Sequence, residues 1–440
     1  MEFSSTDHIN VPMSFRAVHP GESRLVNNAY NQNGVLTTLL FVFWLLCFAT
    51  YSPPGRNSGL SLSSLDWIAI LKVVSRFLAV ILLSWCLFRK RMSAREKGMI
   101  NHLLPFGIFA FWAICSTFWS PIKAATLGHS VEALMLFMLA TVTSIVCFDQ
   151  RNLSKILFHF SLITFTFSLI NVLIGFASPQ TGNGDIFRLG GLGHPNQIGI
   201  VASTGMVITV TSYLAWKWTW TRSLVLPAII VHAWSIHMTR SRTALFVVIV
   251  GLFMSSMLFG RRKILPMILL ILSLLGTIYL AVDPNGDLFA MVTGEYGKYV
   301  LREQTTETFL SASGRVELWT LSIKSFFSSP LIGYGYCMNS PSGYIHVWGI
   351  DVGSAHNAFL AVLTGTGLVG SFFLGWGIFS LFRRIWIGLR GTPEKKKIAG
   401  FGLTILIFSL TSMLMEPFFV PIYVGPVFFF ATAGIVAGSI

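Results

Sequence analysis

Long apolar runs alternate along the chain with short polar breaks, and runs of this length read as membrane-spanning helices. Twelve can be placed, at 34–51, 66–88, 101–119, 128–148, 154–178, 196–216, 222–239, 242–260, 264–282, 356–382, 398–416 and 419–437. The pattern divides the chain into a polar tail (1–33), spans one to nine (34–282), a long polar loop (283–355) and spans ten to twelve (356–440). The expectation is an all-α integral membrane protein of about twelve transmembrane helices. The loop between spans nine and ten has a pattern of its own. Val316, Trp319, Ile323 and Phe326 recur at helical spacing after Ser313, a candidate N-cap, so the loop is expected to carry short helices that fold over the outer face.

Composition agrees with the hydropathy. Of 440 residues, 53% are hydrophobic and only 11% charged, which excludes a soluble globular class and leaves no room for a large soluble catalytic domain. The formal charge of +14 would suggest a polyanion partner in a soluble protein. Here the basic residues sit in clusters between spans, such as Arg89, Lys90 and Arg91 or Arg383, Arg384 and Lys395 to Lys397, so membrane lipid rather than nucleic acid is their expected surrounding. Most of these clusters fall in even-numbered loops, and the positive-inside rule then puts both termini in the cytoplasm and loop 283–355 outside. The first 33 residues have no basic region leading into a short apolar stretch, and read as a cytoplasmic tail rather than a signal peptide. The five cysteines form neither a disulfide framework nor a metal-ligand spacing.

Ionisable groups inside spans are costly and usually face a polar cavity. Lys72 and Arg76 share a face of span two, Glu132 lies one turn into span four, and Glu416 ends span eleven on the outside. Together they suggest a polar, positively biased cavity that opens outward. A purely structural ion pair accounts equally well for Lys72 with Glu132.

Three stretches carry candidate chemistry. Arg188-Leu-Gly-Gly-Leu-Gly-His194-Pro195-Asn196 precedes span six: its glycines let backbone approach a ligand, and a helix N-terminus beside an arginine suits an anion. Taken alone, it reads as a tight turn capping a span. Arg240 and Arg242 form a doubly basic corner between spans seven and eight, against the charge rule, and guanidinium suits bidentate contact with a diphosphate. A headgroup anchor for anionic lipid is the alternative there. The third stretch comprises Ser313-Gly314-Arg315, Pro330-Leu-Ile-Gly333-Tyr-Gly335 and Ser354-Ala355-His356-Asn357. Imidazole can take a proton from a hydroxyl at neutral pH, which makes His356 the candidate base, with Asp351 a less favoured base or an orienting carboxylate.

These stretches, in this order and on one side, resemble the O-antigen ligase and polymerase superfamily of bacterial membrane glycosyltransferases. The matching is strongest over residues 188–243 and 311–370. The resemblance implies an enzyme of the inner membrane that works on the periplasmic side without a metal, transferring a glycan from undecaprenyl diphosphate to a sugar hydroxyl. It implies that Arg188, Arg242 and Arg315 contact the diphosphate and that His356 assists the acceptor. Arg240, His194, Asn196, Asp351, Asn357 and Arg76 remain further candidates. The acceptor is either a second lipid-linked repeat unit, as in a polymerase, or the lipid A core, as in a ligase. The stretch 116–121 and the run from Ser313 to Gly370 favour an exopolysaccharide-type polymerase. A chain-length regulator and a flippase are candidate protein partners. A secondary transporter and a non-catalytic lipid-binding scaffold stand as alternatives of another class, and the concentration of Gly, Pro, Arg and His outside the spans argues against the transporter.

Overall fold

A computed structural model describes residues 20–49, 67–89, 93–177, 180–181, 187–188, 195–260, 315–339, 356–418 and 424–440. These form thirteen α-helices: α1 (Pro20–Ala49), α2 (Trp67–Arg89), α3 (Ala94–Asn101), α4 (Leu104–Cys115), α5 (Lys123–Cys147), α6 (Arg151–Ala177), α7 (Pro195–Trp216), α8 (Thr219–Thr239), α9 (Arg242–Phe259), α10 (Arg315–Ser328), α11 (Ala358–Leu389), α12 (Pro393–Met415) and α13 (Val424–Ser439), with a short 3-10 turn at Ser116–Phe118. A two-residue antiparallel pair, β1 (Gln180–Thr181) with β2 (Phe187–Arg188), is the only strand structure among the described residues. Seven helices, α2, α5, α6, α7, α9, α11 and α12, are long and apolar enough to cross a membrane, and shorter apolar helices lie within α1, α4 and α13. The chain is a multi-pass helical membrane protein.

The predicted spans differ from these helices in instructive ways. Span seven forms α8, but that helix is not among the seven, because polar side chains such as Arg222, His232 and His237 interrupt it. Span ten is longer than expected: α11 continues to Leu389, so Arg383 and Arg384 belong to its last turns and not to a loop. Helix α1 starts at Pro20, inside the segment read as a tail. Span nine and most of loop 283–355 lie outside the described residues. The loop helix is present as α10, and its apolar stripe is only partly covered, with Trp319 and Phe326 half-buried. Val316 and Ile323 are exposed, and Ser322 and Ser325 are buried.

The core is built around α13, every residue of which is buried, packed along α5. Gly434 and Gly438 make this possible. A Cβ on Gly434 would lie 2.3 Å from the Ala140 carbonyl oxygen, and one on Gly438 would lie 2.1 Å from that of Ser144. Small residues four apart let two membrane helices touch backbone to backbone. The pair also shares a hydrogen bond from the Ser439 hydroxyl to the Cys147 carbonyl, 3.1 Å. Such interhelical bonds contribute only about 0.6 kcal/mol in a membrane, so close packing does more than the hydrogen bond to hold the two helices together.

Helix α11 is broken, and the break positions the site. Gly367 has φ +64°, and a Cβ there would lie 2.3 Å from the Leu331 carbonyl oxygen. The backbone groups that the break frees are met by the segment 330–335. Tyr334 and Gly335 donate to the carbonyls of Thr364 and Gly365, while the amides of Leu368 and Val369 donate to those of Pro330 and Leu331. Non-helical backbone at membrane depth is tolerated where protein satisfies it in this way.

Candidate functional site

Helix α12 stops where Pro417 follows Glu416, since a residue before proline is pushed out of the helical region. Glu416 accordingly has extended backbone, φ −141° and ψ 155°. Its carboxylate is buried, and three elements converge on it. His356 Nδ1 lies 3.1 Å from Oε2. On Oε1, the Asn196 side-chain amide donates at 3.1 Å, and Arg315 Nη2 lies 3.4 Å away. Arg315 also donates from Nη1 to the Met415 carbonyl, 2.9 Å. The first turn of α7, the start of α10 and the mouth of α11 are thus tied to the end of α12.

His356 has left-handed backbone, φ +48°, a conformation that costs a residue with a Cβ about 1–2 kcal/mol. Asn357 follows as the N-cap of α11, its Oδ1 accepting the Leu360 amide at 3.0 Å. The cap fixes the helix start, and the carboxylate fixes the imidazole. With Glu416 ionised, the tautomer that fits this contact carries its proton on Nδ1 and leaves Nε2 free to accept one. A base oriented by a third group is the arrangement that nucleophile activation requires.

The basic corner is built from two helix ends. Arg240 ends α8 in left-handed conformation, φ 47°, and Ser241 caps α9 by accepting the Ala244 amide at 3.3 Å. Arg242 is the first residue of α9. Gly199, one turn beyond Asn196 on α7, packs against this corner: a Cβ there would meet Ala244 at 2.7 Å and Ser241 at 3.1 Å. The corner therefore stands beside the first turn of α7, which reaches Glu416. Strand β2, which holds Arg188, packs on α8. His194 and Asp351 lie outside the described residues, as do Ser313 and Gly314.

A second charged cluster lies deeper. Arg76 of α2 pairs with Glu132 of α5, and His129 Nδ1 lies 2.8 Å from the same carboxylate. Glu132 is 2% exposed. Tyr336 and Cys337, at the end of the segment that fills the α11 break, face this pair: Cys337 bonds His129, and Tyr336 lies in the field of Glu132. The Tyr336 amide donates to the Ser116 hydroxyl at 3.0 Å.

The structure thus gathers His356, Arg315 and Asn196 around one carboxylate, packs the corner that carries Arg240 and Arg242 against α7 near Asn196, and places Arg76 in a separate cluster. Glu416 was legible as an ionisable group at the outer end of a span, but nothing local marks it as the residue joining the others. Among the described residues, no three His, Cys, Asp or Glu side chains gather as a metal site.

No curated protein sequence matches the chain. Residues 227–375, which run from the middle of α8 into α11 and include Arg240, Arg242, Arg315 and His356, match the family described as O-antigen ligase, and this stretch is a domain of the O-antigen ligase and polymerase superfamily.

Proposed function

We propose that the protein is a metal-independent glycosyltransferase of the bacterial inner membrane, with both termini cytoplasmic and its site on the periplasmic side. In this reading it transfers a glycan from undecaprenyl diphosphate to a sugar hydroxyl of a second lipid-linked repeat unit, as a polysaccharide polymerase. The observation that carries the reading is the contact of His356 with buried Glu416, on a carboxylate that also holds Arg315.

The donor is already activated, so the protein has two tasks. As the acceptor oxygen bonds to the anomeric carbon, its proton passes to Nε2 of His356. The bond from that carbon to the diphosphate breaks, and its electron pair leaves with undecaprenyl diphosphate. Arg188, Arg242 and Arg315 hold the diphosphate and offset the charge it gains. A guanidinium has five N–H donors, so Arg315 can keep its bonds to Met415 and Glu416 and still offer others. Attack opposite the leaving group inverts the anomeric centre.

Reconstitution of the purified protein with an undecaprenyl-diphosphate repeat unit, with and without lipid A core, tests the reading. A ladder of products without added core is the expected result. Product formed only with core would make the protein a ligase, and no transfer from verified substrate would overturn the enzyme reading.

A further inference from the structure

At the end of the bundle opposite His356, the last turns of α11 face the turn between α3 and α4 across a cleft of about 200 Å³. Its lining combines the polar Arg383, Arg384, Ser380 and His102 with the apolar Trp376, Phe379, Ile387 and Ile440. Ser380 donates to the His102 carbonyl at 3.1 Å and ties the two walls together. Arg384 is half committed, donating to the carbonyls of Val436 and Ala437 at the end of α13. Arg383 is exposed and makes no hydrogen bond or ion pair with any described residue. Two adjacent guanidiniums thus line one small cleft, and no described carboxylate pairs with either.

The apolar wall is not an isolated patch. Trp376 and Phe379 continue an exposed stripe up α11 through Phe372 to Leu368, the surface this helix turns toward acyl chains. The same end of α11 carries a tryptophan–arginine pair, the guanidinium of Arg390 lying 4.9 Å over Trp386. Tryptophan and arginine together belong at the boundary between hydrocarbon and headgroups. A free anion would need only the guanidiniums; an occupant that joins a phosphate to an acyl chain uses the apolar lining as well.

We propose that this cleft is a binding site for one anionic phospholipid, with its phosphate between Arg383 and Arg384 and a chain along Trp376 and Phe379. Basic clefts at the cytoplasmic ends of spanning helices suit such headgroups. The site is separate from His356 and does not depend on the transfer reading.

Native mass spectrometry of the delipidated full-length protein tests this, with phosphatidylglycerol and phosphatidylcholine of matched chains as probes. Phosphatidylglycerol should occupy a first site that phosphatidylcholine does not. Arg383→Gln, which removes no intramolecular bond, should weaken that occupancy about fivefold, the effect of one basic residue on an anionic headgroup. Trp376→Ala should weaken it too, which binding of phosphate alone would not predict. Equal occupancy by the two lipids, no effect of Arg383→Gln, or displacement by millimolar inorganic phosphate would each overturn the proposal.

Discussion

His356 and Glu416 stand 60 residues apart in sequence, yet Nδ1 of one lies 3.1 Å from Oε2 of the other. The contact assigns the imidazole its orientation. If His356 is the base, His356→Ala should lower transfer by about 10²–10⁴-fold while the protein keeps its elution profile and melting temperature. Glu416→Gln should lower kcat and leave KM for the donor nearly unchanged, because the neutral amide no longer stabilises a protonated imidazole. Added imidazole should partly restore His356→Ala. Undiminished turnover by that variant would remove His356 from the mechanism.

Gly367 tests the break in α11. With φ +64° and a carbonyl oxygen 2.3 Å from where a Cβ would stand, Gly367→Ala combines strain with a backbone clash. The strain alone costs about 1–3 kcal/mol. We expect a lower melting temperature and reduced transfer, since the displaced turns lead directly to His356. An alanine variant as stable as the parent would show that the segment 330–335 does not hold the break.

How far this arrangement could be read from sequence differs between its parts. The helices were legible because apolar length is a local property, and α5, α6, α7, α9 and α12 start and end within a few residues of the predicted spans. The break in α11 was not, because Gly367 lies in an apolar run that also reads as continuous helix, and the backbone that fills it comes from a segment some 30 positions away. His356, Arg315 and Arg242 were marked by unusual residue types near span ends. Glu416 was visible as a charge, but its role comes from α7, α10 and α11 meeting at one point, which no local pattern encodes. The stripe Val316, Trp319, Ile323 and Phe326 marked the helix α10 but not the whole of its buried face, to which Ser322 and Ser325 belong.

The deeper cluster gives a stability prediction. Glu132 is 2% exposed and faces both Arg76 and His129, so Glu132→Ala strands buried positive charge. Breaking a buried pair in this way costs about 3–5 kcal/mol. Arg76 is 24% exposed, which places the expected loss toward the lower end of that range. Replacing both partners, as in Arg76→Leu with Glu132→Leu, should cost less than the sum of the single changes. Additive losses in a thermal double-mutant cycle would show that the two side chains do not interact.

The corner at Arg240 and Arg242 separates its two readings by kinetics. A diphosphate ligand is engaged by the donor lipid, so Arg242→Ala should raise KM for the lipid-linked glycan and, if the contact strengthens as the leaving group gains charge, lower kcat as well. A headgroup anchor would alter neither and would instead change thermal stability with the anionic lipid content of the vesicle. Charge-assisted hydrogen bonds contribute about 1.5–3 kcal/mol, so kcat/KM should fall by roughly 10–100-fold on losing Arg242. Arg242→Lys should recover only part of this, since ammonium keeps the charge but not the planar fork. Arg240 ends α8 in left-handed backbone, so its replacement by glycine should relax strain without loss of fold. If Arg240→Gly depresses kcat/KM as far as Arg242→Ala does, both guanidiniums serve the donor; if only Arg242→Ala does, the diphosphate is held from the first turn of α9 alone.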